Sequence, residues 1–363
     1  MKRNSVWIWL VACTTLACAA KEQPALVLTS PQDYQVFQRE SQARGVIVVE
    51  GTVAAGAKIE MRLDGQPWQP MTAQNINKFR ALILMSSGGW YRLEVRANGQ
   101  APVVVEHVGV GEVFIVAGQS NSGNHGSAKQ QTATGKVASF DGAQWRLAND
   151  PQRGASGNGG SFMPAFGDAL ATRLGVPVAV VPCGIGATSV REWLPKGATF
   201  PNPPTLVGRV EKLSDGTWAS KGAAFAALVA RMKPFGTNGF RAVLWHQGES
   251  DANQKDPTRT LPGKLYRDQL ERVIRESRRE IGWDAPWFVA QVSYHGPSDE
   301  ASPDLRAAQA ALWKDGVALE GPDSDALRGD LRAGVHFNGK GLQAHGKLWA
   351  EKVGAYVERK LAP

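Results

Sequence analysis

From residue 113 onward, short continuous apolar segments alternate with amphipathic stretches, and this alternation restricts the fold more than any other feature of the sequence. The apolar segments are VFIVAG (113–118), VPVAVVPCG (176–184), FRAVLWHQG (240–248) and PWFVAQVSY (286–294). Strands that are apolar on both faces are typical of parallel sheets covered by helices on both sides. The sequence therefore predicts an α/β fold, a three-layer α/β/α parallel sheet, over residues 111–361. Its helices are predicted at 164–174, 223–233, 265–281, 304–314 and 341–359.

Residues 25–110 follow a different pattern, which indicates an all-β domain. GVIVVEGTV (45–53) is rich in β-branched residues, and KIEMRL (58–63) alternates apolar and polar side chains. The pairs Asp64-Gly65 and Asn98-Gly99 supply turn signals between such runs. Several short strands separated by turns predict a small immunoglobulin-like β-sandwich. Residues 196–221, rich in Pro and Gly, are predicted to form a long surface loop beside the functional site.

The first twenty residues predict a secretory signal peptide. Lys2 and Arg3 precede an apolar run over residues 6–12, and small residues follow. The run is too short to span a bilayer, so no membrane span is expected. Ordinary signal-peptidase cleavage is favoured, because cleavage before Cys13 would leave a very short apolar segment; a lipid anchor at Cys13 or Cys18 stays open. We expect an exported protein, periplasmic or secreted, or a lipoprotein.

Composition excludes several classes of protein. Hydrophobic residues make up 43% of the chain, with twelve tryptophans and twelve phenylalanines, which favours a packed core over disorder. The net charge is +8, of which Lys2 and Arg3 contribute two, but no basic run is interleaved with aromatic residues. We therefore expect no nucleic-acid partner. His246 and Glu249 are three residues apart and have no further ligands nearby in the sequence, so no metal or other cofactor is expected.

Polar residues follow the first three predicted strands at their carboxyl ends, where ligands bind in sheets of this kind, and a further polar segment precedes the last helix. The segments are 118–121 (GQSN), 184–188 (GIGAT), 245–251 (WHQGESD) and, before the last helix, 334–338 (GVHFN). Together they offer a serine, glycine amides, a side-chain amide, a carboxylate and a histidine. That set matches the nucleophile, base, acid and oxyanion donors of a serine esterase.

These blocks resemble the SGNH (GDSL-like) hydrolase superfamily, in its carbohydrate O-acetylesterase branch with sialate O-acetylesterases and acetylxylan esterases. AGQSN, GATSVREW, WHQGESDA and GVHFNGKG occur in the family's order and cover the second domain. The resemblance implies an SGNH-type, flavodoxin-like fold and hydrolysis of acetyl esters. The contiguous Ser-Gly-Asn-His at 122–125 spells the superfamily name by coincidence.

The resemblance assigns roles to individual residues. Ser120 matches the nucleophile and His336 the general base, whereas Ser122 is expected to serve as a cap or turn residue. Gly186 and Gln247 match the oxyanion hole, together with the Ser120 N–H. Gly184 is the alternative to Gly186, and a hydrogen bond that braces a loop is the alternative role for Gln247.

The orienting acid is the point at which the sequence departs from the family. Ala333 stands three residues before the histidine, where the superfamily usually has an aspartate. Glu249 is the first candidate for the acid and Asp330 the second. A Ser-His dyad without an acid is the third possibility, because the acid chiefly fixes the tautomer and charge of the imidazole.

The sequence thus predicts an exported serine esterase that removes O-acetyl groups from carbohydrate, either sialic acid or a plant or microbial polysaccharide. The alternatives are a catalytically silent sugar-binding protein on the same scaffold and a general carboxylesterase. His125 is a candidate for substrate contact. Trp193, Trp245 and Phe162 are equally consistent with a sugar platform and with core packing.

Overall fold

The computed structural model describes residues 26–72 and 77–362, so the predicted signal peptide (1–20), with Cys13 and Cys18, lies outside the described residues. Eight strands come first, and no helix interrupts them among the described residues before 119. They are β1 (Val27–Ser30), β2 (Gln35–Gln38), β3 (Arg44–Thr52), β4 (Ile59–Leu63), β5 (Gln69–Met71), β6 (Lys78–Ser86), β7 (Gly88–Ala97) and β8 (Val103–Gly118).

These strands form two sheets around one apolar core. The first sheet is antiparallel, in the order β1-β3-β6. In the second sheet, β7 pairs with β4 on one side and with the first half of β8 on the other, and β5 pairs with β4. Strand β2 runs parallel to β8. Alternation decides which side chains are inside: in β3, Ile47 and Val49 are buried, whereas the residues before them, Val46 and Val48, are partly exposed.

The rest of the chain alternates strands with five α-helices. The strands are β9 (Val137–Phe140), β10 (Trp145–Leu147), β11 (Val178–Pro182), β12 (Thr199–Phe200), β13 (Val210–Lys212), β14 (Trp218–Ser220), β15 (Ala242–His246), β16 (Trp287–Gln291), β17 (Leu319–Asp323), β18 (Arg332–Ala333) and β19 (His336–Phe337). The helices are α1 (Met163–Leu174), α2 (Ala223–Met232), α3 (Gly263–Ile281), α4 (Pro303–Lys314) and α5 (Gly339–Lys360). Within the described residues, none of the helices has the length and hydropathy needed to cross a membrane.

The central sheet has the order β10-β9-β11-β8-β15-β16-β17 and is parallel except for β10. Alternate residues of β8 serve opposite faces: Val113 and Ile115 pack in the cluster that includes α2, α3 and α4, and Phe114 and Val116 in the cluster with α1 and α5. The predicted α/β class is confirmed. The sequence prediction missed β9, which has four residues, and β17, whose LEGPD sequence carries Gly and Pro that weaken a strand pattern.

Residues 196–221 differ from the prediction of a plain surface loop. They contain a small antiparallel sheet in the order β12-β14-β13. Its buried residues Phe200, Val210 and Ala219 belong to the same core cluster as α2 and α3. Strands of two or three residues are too short to show a period in the sequence, which is why this sheet was not predicted.

Strand β8 continues from the second sheet of the β-rich segment into the centre of the parallel sheet, so the predicted boundary at 110/111 falls inside one strand. Glu112 is fully buried there. Its carboxylate accepts hydrogen bonds from Arg39 Nε at 2.7 Å, Arg241 Nε at 2.7 Å and Gln38 Nε2 at 2.9 Å. The three donors come from β2, the turn after it and the segment before β15, so this carboxylate ties both parts of the chain together.

We predict that Glu112→Gln destabilises the protein by about 3–5 kcal/mol, because it leaves the buried Arg39 and the largely buried Arg241 without a counter-charge. The matched control is Glu106→Gln on the same strand, whose carboxylate is 55% exposed and pairs with a surface arginine. That change should cost no more than about 1 kcal/mol. Urea unfolding of both variants measures the difference in the free energy of unfolding. Equal unfolding midpoints for the two variants would show that Glu112 has no special structural role.

Candidate active site

Gly118 ends β8 in a conformation that favours glycine, with φ of 127°. A Cβ at this position would lie 2.1 Å from the His246 carbonyl oxygen on β15, so a larger residue does not fit. The next residue, Gln119, donates its N–H to that carbonyl at 3.0 Å. A single 3-10 turn, Ser120–Ser122, follows at once. This close approach places Ser120 at the carboxyl edge of the sheet.

Ser120 opens onto a cavity of about 1220 Å³, here called the carboxyl-edge cavity. Four residues predicted for the site line it: Ser120, Gly186, Glu249 and His336. Other lining residues belong to the segments around the site, including His125, Ser156, Thr205, Leu206, Arg209, Asn253, Gln254, Lys255, His295 and Asp299.

His336 stands in a tight hairpin in which β18 pairs with β19, directly opposite Ala333. Its imidazole is partly buried, and its ring centroid lies 5.5 Å from that of His125. Burial lowers the pKa of His336, and the neighbouring His125 and Arg332 lower it further. The ring is therefore neutral at neutral pH and has a nitrogen free to accept a proton, which is the state that a general base requires.

Glu249 is 3% exposed and reaches the cavity wall from the segment after β15. Its Oε1 accepts a hydrogen bond from Asn121 Nδ2 at 2.9 Å, and Asn121 also donates to Val335 O at 3.2 Å. Its Oε2 has no hydrogen-bond partner among residues 26–72 and 77–362. Burial raises the pKa of Glu249 to about 7, against the opposing effects of the Asn121 hydrogen bond and Arg332.

Asp330, the other candidate acid, is 82% exposed and lies 3.9 Å from Lys340 Nζ. It does not line the cavity. The structure thus brings Glu249, and not Asp330, to the wall that carries Ser120 and His336. Within the described part of the chain no hydrogen bond joins any two of Ser120 Oγ, His336 and Glu249; such contacts are often long before substrate binds.

The two predicted oxyanion residues are placed differently. Gly186 lines the cavity, and its N–H donates to Ser156 Oγ at 2.6 Å. Gln247 is fully buried behind it and does not line the cavity: its Nε2 contacts Asp251 Oδ2 at 2.7 Å, and Gln119 Oε1 and Thr188 O at 3.1 Å each. These contacts correspond to the bracing role that was the alternative for Gln247.

A second histidine–carboxylate pair was not predicted. His295 Nδ1 lies 2.6 Å from Asp299 Oδ2, and its Nε2 contacts the main-chain oxygen of Glu249. Both residues line the cavity. His295 directly follows the apolar segment 286–294, so the rule that functional residues follow strand ends would have identified it.

The aromatic residues considered for a sugar platform do not reach the cavity. Trp193, Trp245 and Phe162 are fully buried in the apolar core. His345 is also buried and accepts a hydrogen bond from Trp349 Nε1 at 2.9 Å. Burial raises the pKa of the Cys183 thiol to about 12, which leaves it inert.

Comparison with known proteins gives a family match over most of this region. The family model described as carbohydrate esterase, sialic acid-specific acetylesterase, matches residues 110–355. No curated protein sequence matches the chain significantly.

Among solved structures, a carbohydrate acetylesterase from Xanthomonas citri is similar over 93% of this chain and 75% of its own, with 19% identity and a TM-score of 0.56. A protein from Arabidopsis thaliana covers 69% of this chain and 99% of its own, with 18% identity and a TM-score of 0.45. A family two carbohydrate esterase from Clostridium thermocellum covers 88% and 90%, with 14% identity and a TM-score of 0.36.

The first of these structures supports a shared fold, and the resemblance read from the four sequence blocks is confirmed by the family match. The match extends from β8 into α5 and so includes every strand end that lines the cavity. The chain belongs to the carbohydrate esterase family of sialic acid-specific acetylesterases and is a carboxylic ester hydrolase.

Proposed function

We propose that the protein is an exported serine esterase that removes O-acetyl groups from carbohydrate through an acyl-enzyme on Ser120. The observation that carries this proposal is that Ser120, His336 and Glu249 line the same cavity, in a chain of this family. In this proposal residues 111–361 are an SGNH-type three-layer hydrolase domain, and residues 25–110 are an accessory β-sandwich.

The reaction begins with proton transfer. His336 takes the proton of the Ser120 hydroxyl, and the oxygen of Ser120 attacks the acetyl carbonyl carbon. The tetrahedral intermediate collapses when the sugar oxygen leaves with the proton from His336. Water then attacks the acetyl-Ser120 ester with His336 again as base, and acetate leaves. The lowered pKa of His336 keeps the ring neutral and ready for the first step.

Glu249 is the proposed acid of the triad. Its unpaired Oε2 is the atom available to an imidazole N–H, since Oε1 already accepts from Asn121. Asn121 bonds both Glu249 and the Val335 carbonyl, so it links the carboxylate to the residue before His336. Gln247 acts indirectly, by holding Gln119 beside the nucleophile.

The substrate proposal rests on the size and lining of the cavity. A volume of about 1220 Å³ exceeds what an acetyl group alone would need and leaves room for a sugar. The cavity is also lined by polar and charged residues that follow Glu249 in the chain, among them Asn253, Gln254 and Asp256. Arg209 and Lys255 also line it and suit an anionic sugar such as sialic acid, besides neutral polysaccharide units. The predicted signal peptide supports export. If Cys13 or Cys18 is the lipid acceptor, the exported protein is a lipoprotein.

The role of Ser120 as the nucleophile is tested by replacing it. Ser120→Ala should lower acetate release from p-nitrophenyl acetate by at least about 10⁴-fold, because no other group replaces its hydroxyl. Ser214→Ala, an exposed serine outside the cavity, should match the parent. The acetylated peptide containing Ser120 should be detectable by mass spectrometry after rapid quenching.

Three results would count against the proposal. Full esterase activity in Ser120→Ala would exclude an acyl-enzyme on Ser120. A parent protein that releases no acetate, even from acetylated glycans, would favour the silent sugar-binding alternative. Equal kcat/KM for butyryl and acetyl esters would favour a general carboxylesterase.

The activities of two further variants distinguish between Glu249 and Asp330 as the acid of the triad. Glu249→Gln should lower kcat/KM much more than Asp330→Asn, since only Glu249 lines the cavity. Both substitutions keep the size of the side chain and remove one negative charge, so each controls for the other. Equal turnover of the two variants would exclude Glu249 as the acid.

A stability measurement on the same variants tests the burial of Glu249. The pKa of this carboxyl is raised in the folded state, so the folded protein retains the proton more strongly than the unfolded chain does. Its ionisation therefore reduces the stability of the parent as the pH rises from about 4.5 through about 7. Glu249→Gln should be more stable than the parent by about 3 kcal/mol at pH 8 and nearly equal at pH 4.5, as measured by urea unfolding. Asp330→Asn should follow the parent at both pH values.

The pH dependence of kcat/KM should reflect the ionisation of both Glu249 and His336. The kcat/KM of the parent should fall as the pH drops through about 7, because Glu249 then becomes protonated. The residual activity of Glu249→Gln should persist to below pH 6.5, the ordinary histidine value, since the pKa of His336 is lowered. An unchanged profile in Glu249→Gln would contradict the proposed ionised carboxylate.

A further inference from the structure

Two of the three donors that the sequence assigns to the oxyanion hole, the Gly186 N–H and the Gln247 amide, are already engaged inside the protein; the third is the Ser120 N–H. The Gly186 N–H donates to Ser156 Oγ, and the Gln247 amide donates to buried acceptors. We propose that the hydroxyl of Ser156 is the group that donates to the acyl oxygen of the substrate, with Gly186 and His125 as positioning residues. This inference rests on the proposed esterase function and adds a catalytic residue to it.

The main chain of Ser156 is fixed on both sides. Its N–H donates to Gly184 O at 2.8 Å, and its carbonyl accepts the Asn124 N–H at 2.9 Å. The Asn124 side chain in turn bonds the main chain of Gln152, which ties the same loop at a second point. The hydroxyl is therefore held at a defined place on the cavity wall, as an oxyanion donor must be before the reaction starts.

Two ring or amide nitrogens lie within hydrogen-bond distance of the Ser156 oxygen. Gly186 N is at 2.6 Å, and His125 Nε2 is at 3.0 Å. Burial lowers the pKa of His125, so its imidazole is neutral, and our proposal assigns the ring proton to Nε2, which makes this nitrogen a donor to Ser156 Oγ. A hydroxyl has two acceptor sites and one O–H, so two incoming N–H groups leave its own proton for a third partner. They also polarise the hydroxyl and make it a stronger donor.

The same wall carries the nucleophile. A Cβ at Gly123 would lie 2.9 Å from the Ser156 carbonyl oxygen and 3.5 Å from that of Ser120, so this glycine packs between the two serine segments. Both serines line the cavity, and the His125 ring contacts Ser156 Oγ and has its centroid 5.5 Å from that of His336. An ester that reaches Ser120 therefore enters beside the Ser156 hydroxyl.

Gly186 is required for this compact arrangement. A Cβ there would lie 2.8 Å from His125 Nε2 and 3.3 Å from Ser156 Oγ. Any larger residue would push the imidazole away from the serine. A glycine at position 186 thus leaves room for the hydrogen bonds that the main-chain amide and His125 make to the Ser156 hydroxyl.

The test is steady-state hydrolysis of p-nitrophenyl acetate by Ser156→Ala. Loss of one oxyanion donor should lower kcat by about 10²–10³-fold, with KM changed less than about threefold, because the lost bond forms chiefly in the transition state. Ser156→Thr keeps the hydroxyl and should recover much of the activity. His125→Phe should give a smaller loss than Ser156→Ala, and Ser214→Ala should equal the parent. Thermal unfolding confirms that each variant is folded.

A second experiment probes the oxyanion site with a reagent that inactivates the enzyme instead of being turned over. Diethyl p-nitrophenyl phosphate phosphorylates an activated serine with loss of p-nitrophenolate, and its phosphoryl oxygen occupies the oxyanion site. Its inactivation rate should fall in Ser156→Ala by a factor similar to that for kcat. If Ser156→Ala is as active as the parent or faster, the hydroxyl merely blocks the Gly186 amide and this inference is overturned. If the parent neither hydrolyses acetyl esters nor reacts with the phosphate ester, the proposed function fails as well.

Discussion

The structure depends on strand β8, because one run of sixteen residues belongs to two sheets. Its first half completes the β-rich segment, and its second half is a central strand of the parallel sheet. At the junction, the buried Glu112 binds Arg39 and Arg241, which lie far apart in sequence. Burying three charges is costly unless each is paired, so this arrangement fixes how the two parts meet. The same strand then delivers Ser120, since Gly118 allows the chain to turn against β15.

The site keeps its charged and polar groups in states that a stable core would avoid. Glu249 is buried with one oxygen unpaired, which raises the pKa of that carboxyl to about 7. His336 and His125 are both partly buried, and burial lowers the pKa of each. Such groups reduce stability and are retained where chemistry needs them. Glu249, His336 and His125 line the cavity together with Ser120, whereas His246 and His345, whose pKa values burial also lowers, lie in the aromatic core and do not reach the cavity.

Secondary structure was predictable where a period extends over a whole element. Helix α3 was expected at 265–281 and spans Gly263–Ile281, because its apolar stripe repeats over five turns. Strand β17 and the sheet at 199–220 were not predictable, since β17 is interrupted by Gly and Pro and strands of two or three residues are too short to show a period. The strand-end rule found the segments of Ser120, Glu249 and His336, and it applies equally to His295, which was overlooked.

The sequence by itself determined the family, the α/β class and four of the segments that line the cavity, because ordered motifs and periodic apolar residues are local properties of the chain. Only the tertiary structure decided between residues of similar chemistry. It exposes Asp330 to solvent and buries Glu249 beside the cavity, and it places the Gln247 amide among internal acceptors. It also puts Ser156, from a loop with no motif, against the Gly186 amide. Each choice depends on hydrogen-bond partners and burial supplied by distant segments, which no local pattern records.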